Sequence, residues 1–124
     1  MARIKKILIV DNEPSAEDEL TTTFQREGFE VTTLLNGHNF IGTIRKILPD
    51  LIILDIQMGK QDGLQFCKEL KSIEDLKHIP VIIVYASVKL RTSSTVEHGA
   101  ECTMVRPFEI SYLTEKAREL TSKT

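Results

Sequence analysis

Five short β-rich apolar runs recur along the chain, at Lys6 to Val10, Phe29 to Leu34, Leu51 to Leu54, Val81 to Val84 and Cys102 to Val105, with helix-length segments between them. Parallel strands need a crossover of a dozen or more residues, usually a helix, whereas antiparallel neighbours are joined by tight turns, so this alternation predicts a parallel sheet with helices on its faces. The first, third and fourth runs are nearly continuous aliphatics, as strands covered on both sides require. The second alternates more and belongs nearer an edge.

The segments between the runs carry helical periodicity, with apolar stripes at Ala16, Leu20 and Phe24, at Phe40, Ile41, Ile44, Ile47 and Leu48, at Cys67 and Leu70, and at Ile110, Leu113, Ala117 and Leu120. Pro14 suits a first helical position, Gly28 a helix C-terminus, Asn36-Gly37 a turn, and Pro49 and Pro80 the approach to strands. Lys89 to His98 is poor in strong helix formers and has only Leu90 and Val96 as apolar anchors. It reads as a short surface helix, either loosely docked or able to shift on a signal.

At 124 residues the chain is expected to be a single domain, 1–124, with no output domain. Sixteen basic against eighteen acidic residues leave a net charge of -2, and no basic run exceeds Lys5-Lys6, which argues against a nucleic-acid or acidic-membrane surface. No apolar run approaches the roughly 18 residues that span a bilayer, so the expectation is a cytoplasmic protein with no membrane contact. Cys67 and Cys102 lack any metal-ligand spacing and read as inert thiols, and His38, His78 and His98 fit no helical metal face.

Ligands of an open parallel sheet bind beyond the carboxyl ends of its strands. The residues there are Asp11, Asn12 and Glu13 after the first run, Asp55 after the third, Tyr85 to Ser87 after the fourth, and Arg106-Pro107 after the fifth. Crowded carboxylates repel unless a cation lies among them, and a donor set of oxygens alone favours magnesium or a similar hard ion. With the fixed charge of Arg106, such an ion would draw in a phosphoryl group for in-line transfer, and a carboxylate can be the acceptor.

Over essentially its whole length the chain resembles the receiver domain of two-component response regulators. The resemblance is carried by Ile7 to Pro14 (the acidic turn), Pro49 to Met58 (the acceptor strand), Asp62-Gly63 (the turn opening the third helix), Pro80 to Val84, and Gly99-Ala100 through Arg106-Pro107-Phe108. It implies a doubly wound (βα)5 flavodoxin-like fold with a five-stranded parallel sheet of order 2-1-3-4-5. It makes Asp55 the phosphoacceptor, puts Asp11, Asn12, Asp55 and the carbonyl of Gln57 around magnesium, and puts Arg106, Tyr85 and Ala86 at the phosphoryl group. A sensor histidine kinase or histidine phosphotransferase is the implied donor, and an unidentified downstream protein the implied target of a monomer or weak dimer. The chain is then no enzyme beyond magnesium-dependent phosphorylation and dephosphorylation of its own Asp55.

Departures from the family pattern lie at functional positions. Asn12 replaces a carboxylate by an amide, which weakens metal binding by at least roughly the 10- to 100-fold of an outer-shell loss, and Glu13 compensates in part. Tyr85 stands where the family has Thr or Ser, Thr103 where it has an aromatic switch residue, Arg106 where it has Lys, and Gly59 where it has Pro. With Thr103 small, an aromatic from the fourth strand has room in the vacated slot. These changes keep open a second reading, a pseudo-receiver that docks proteins without being phosphorylated. A haloacid-dehalogenase-like phosphatase would need a second acidic motif that is missing, and a flavin or nucleotide site would need a Gly- or Ser/Thr-rich phosphate loop where the first strand ends in acids.

Overall fold

The computed structural model describes residues 4–10, 14–34, 39–56, 60–85, 99–105 and 109–122, with the backbone alone for 14–18, 55–56 and 60–64. The strands are β1 (Lys6–Val10), β2 (Glu30–Leu34), β3 (Leu51–Ile56), β4 (Val81–Tyr85) and β5 (Cys102–Val105), and the described helices are α1 (Pro14–Arg26), α2 (Phe40–Ile47), α3 (Lys60–Lys71) and α4 (Ile110–Thr121). All pairings are parallel, and the sheet order is β2-β1-β3-β4-β5, the expected 2-1-3-4-5. The predicted helical segment at Lys89 to His98 and the Asn36-Gly37 turn lie outside the described residues.

Strand alternation divides the interior in two. Leu8, Val10, Ile52, Leu54, Val81, Ile83 and Tyr85 meet Phe40 and Ile44 of α2 and Cys67 and Leu70 of α3. Ile7, Ile9, Leu51, Ile53, Ile82, Val84 and Met104 meet Leu20 and Phe24 of α1 and Leu113 and Ala117 of α4 on the other face. The continuous aliphatic runs β1, β3 and β4 thus lie in the middle, and alternating β2, partly accessible along its length, takes an edge.

Gly28 closes α1 as its sequence position predicts. At φ +93 it is in a conformation that L side chains avoid, its N–H donates to the Gln25 carbonyl (3.1 Å), and the Phe29 N–H reaches the Phe24 carbonyl (3.1 Å). The apolar contact that accompanies such a Schellman stop is Phe24 against Phe29, edge to face with centroids 5.7 Å apart.

One local expectation is corrected. Leu48, grouped with the core stripe of its helix, is 61% exposed, because α2 ends at Ile47 and Leu48 turns left-handed (φ 54) with its N–H on the Ile44 carbonyl at 2.7 Å. Pro49 disfavours helical geometry in the residue before it, so the stripe stops one residue early. Asp62-Gly63, expected as the turn opening the third helix, falls within the first turn of α3, which begins at Lys60.

Candidate receiver site

The carboxyl ends of the strands come together in register. Val10 pairs with Leu54, Asp55 with Val84, Ile56 with Tyr85, and Tyr85 with Val105. Asp11 follows Val10 and Arg106 follows Val105 in the chain, so the residues leading to Asp11, Asp55 and Arg106 sit at the same end of the sheet, on adjacent β1 and β3 and, across β4, on edge strand β5. Asp55 itself lies on β3, one residue from its end. Asp11, Asn12, Glu13, Gln57, Gly59, Ala86 and Arg106 lie outside the described residues.

Tyr85, the last residue of β4, is wholly buried in the cluster on the α2–α3 face. Its large neighbours there include Phe40, whose ring stacks on Phe66 at 4.8 Å. Thr103 pairs with Ile83 on the same face and is half-buried. Tyr85 and Thr103 are thus diagonal neighbours across β4 and β5, with the large side chain on β4 and the small one on β5.

Polar bonds secure the opposite, amino-terminal end of the sheet. The Lys6 N–H donates to Asp50 Oδ2 (2.8 Å) while the Asp50 N–H donates to the Lys6 carbonyl (2.8 Å), locking β1 to the approach of β3. Lys71 Nζ, at the end of α3, donates to the carbonyls of Ile79 (2.7 Å) and Lys77 (3.1 Å) and to both oxygens of Glu101. Glu101 Oε1 also accepts the Val81 N–H (2.7 Å). Nothing local in the sequence signals this network, since Lys71 and Glu101 are 30 residues apart and only the fold joins them.

Electrostatic perturbations among the described residues fall away from the strand ends. Burial pushes the Cys67 thiol up to about 11, and burial also raises Cys102, so both thiols are protonated near neutrality, as inert thiols should be. The hydrogen bond from Arg45 (2.8 Å) holds the exposed Asp75 carboxyl below the usual carboxylate value, and Glu119 raises the amine of Lys116. No described helix is long and apolar enough to cross a membrane.

Known proteins resemble the chain over nearly its whole length. The family model for the response regulator receiver domain matches residues 7–118. The regulatory protein AtoC of Escherichia coli (strain K12) is 32% identical over 98% of this chain, which spans 27% of AtoC. A probable transcriptional regulator, ycf27 of Cyanophora paradoxa, is 35% identical over 97% of this chain, which spans about half (49%) of that relative. Among solved structures, the response regulator TrrA from Thermotoga maritima in complex with Mg(2+)-BeF is 31% identical, with a TM-score of 0.82, covering 94% of this chain and 99% of TrrA. A match that runs from β1 into α4, together with the 2-1-3-4-5 sheet, leaves one conclusion: the chain belongs to the response regulator receiver domain family.

Proposed function

We propose that the chain accepts a phosphoryl group on Asp55 from a phosphohistidine of a sensor histidine kinase or histidine phosphotransferase, and passes the signal on by docking to a protein partner. The observation that carries this reading is the strand register, in which Asp55 pairs with Val84, Val10 before Asp11 pairs with Leu54, and Val105 before Arg106 pairs with Tyr85. The Asp55 carboxylate attacks phosphorus as the phosphorus–nitrogen bond to the histidine breaks, and the imidazole leaves. Arg106 holds the equatorial oxygens with a charge that does not titrate, and the Tyr85–Ala86 end of β4 faces the same group.

The oxygen donors of Asp11, Asn12, Asp55 and Gln57 suit magnesium and no softer ion. Bound there, the metal would offset the charge of the carboxylates and of the incoming phosphoryl group. TrrA was solved with Mg(2+)-BeF, which supports a related donor set here. We expect no autonomous turnover of a diffusible substrate and, with a net charge of -2 and no basic run beyond Lys5-Lys6, no direct nucleic-acid contact by these residues. We place the chain in the cytoplasm with its kinase, as a single domain and a monomer or weak dimer.

Amide NMR with magnesium and then beryllofluoride, an aspartyl-phosphate mimic, tests the reading, with Asp55→Ala as control. Resonances of β1, β3 and β5 ends that shift with both ligands in the wild type only support phosphorylation. No response at millimolar ligand rejects it in favour of the pseudo-receiver, a reading that the burial of Tyr85 at a position of expected phosphoryl contact favours.

A further inference from the structure

Tyr85 is flanked in register by Ile56, the residue after Asp55, and by Val105, the residue before Arg106. Its side chain has no exposed surface and shares a cluster with Val10, Leu54, Phe40 and the partly buried Phe66 and Val105. Val10 and Leu54 are the residues immediately before Asp11 and Asp55. One aromatic ring therefore shares a core layer with the residues that precede Asp11, Asp55 and Arg106. On β5 its same-face neighbours are Val105, directly opposite, and Thr103, on the diagonal, both much smaller than a phenol ring. A large side chain beside small ones fills the layer without strain, and the ring cannot be truncated without leaving a void beneath the strand ends.

We propose that Tyr85 is a positioning residue for the Asp55 site, in which the bulk of the ring, and not the hydroxyl, sets the spacing of the strand ends that receive the phosphoryl group. The proposal rests on the phosphoryl chemistry assigned to Asp55 above. It gives β4 a different duty from that of a hydroxyl donor: the side chain works from inside the core, through the backbone positions on either side.

Beryllofluoride affinity in saturating magnesium, read by amide NMR alongside the melting temperature, tests this on wild type, Tyr85→Phe, Tyr85→Leu and Tyr85→Ala. Tyr85→Phe keeps the ring and is expected to bind within about threefold of wild type, whatever its melting temperature, while the ring-less variants lose about tenfold or more, as small misplacements of reacting groups do. Tyr85→Leu retains enough volume to keep the measurement on a folded protein if Tyr85→Ala unfolds. A loss in Tyr85→Phe equal to that in Tyr85→Leu overturns the proposal in favour of a hydroxyl contact. Wild-type affinity in Tyr85→Leu overturns it in favour of plain core packing. Absence of binding by the wild type rejects the Asp55 reading itself, and this proposal with it.

Discussion

Lys71 Nζ lies 2.9 Å from one oxygen of Glu101 and 3.1 Å from the other, and the carboxylate it grips also accepts the first N–H of β4. The Lys71 side chain is 15% exposed and that of Glu101 35%, and what sets the pair apart from surface pairs that contribute little is that the amine also donates to two carbonyls. Lys71→Met keeps the stem but leaves two carbonyls and the carboxylate without their donor. It is expected to destabilise by about 1–3 kcal/mol in urea unfolding. Glu101→Gln retains an acceptor for the Val81 N–H and is expected to cost about 1 kcal/mol. Equal losses in the two variants would mean that charge, not donor geometry, holds the network.

Asp50 and Lys6 exchange bonds at the start of the sheet, and Asp50 is only 9% exposed. Asp50→Ala strands the Lys6 N–H in a sheltered site and is expected to cost about 1–3 kcal/mol, while Asp50→Asn keeps an oxygen acceptor and loses less. Hydrogen exchange gives a local check: the Lys6 amide should exchange faster in Asp50→Ala, with β4 amides slowed or sped only by the change in global stability.

Two glycines respond oppositely to alanine. At Gly42, inside α2, an added Cβ meets only the end of the exposed Asn39 side chain, which makes no capping bond and can swing away. Gly42→Ala is therefore expected to stabilise by about 0.5–1 kcal/mol through helix propensity. At Gly99, φ is +85 and the Cβ would stand 3.0 Å from Lys71 Cγ, so Gly99→Ala is expected to destabilise by about 1–2 kcal/mol and to disturb the Lys71 network. Thermal melts of the two variants should shift in opposite directions.

Burial raises the Cys67 thiol from 9.0 to about 11, Lys71 opposing and Glu101 adding to the rise. The native protein thus keeps a proton that the unfolded chain releases first. That contribution to stability is complete below about pH 9 and is lost as pH climbs through the native value. Urea midpoints measured from pH 8 to 11 should fall more steeply for wild type than for Cys67→Ala, and iodoacetamide should leave native Cys67 unmodified near neutrality. Parallel pH slopes would show that Cys67 titrates alike folded and unfolded.

The fold was legible because strand burial writes itself directly into composition: β1, β3 and β4 are aliphatic at almost every position, and all three lie in the middle of the sheet. Sheet order was available only through family resemblance, since five parallel strands permit other windings. Leu48 misled because its apolar character fits the α2 stripe, while the backbone obeys the proline that follows it. The identities around Asp55 were equally visible, but a motif says nothing about where a side chain of a departing residue goes. Tyr85 is the case in point, because a phenol at a strand end is compatible with crevice or core until packing decides. The Lys71–Glu101 network was invisible for a different reason, namely that sequence separation hides any pair that only tertiary structure brings together.

The bonds from Lys6 to Asp50 and from Glu101 to Val81 and Lys71 all sit where the strands begin, whereas the proposed phosphoryl site lies where they end. Anchorage and the proposed reactivity are therefore at opposite poles of one sheet. Residues at the reactive pole can exchange charge for amide, hydroxyl for ring or lysine for arginine while the anchored pole keeps the strands in register. A receiver built this way can drift in what it senses, or cease to sense at all, long before it loses the shape that a docking partner reads.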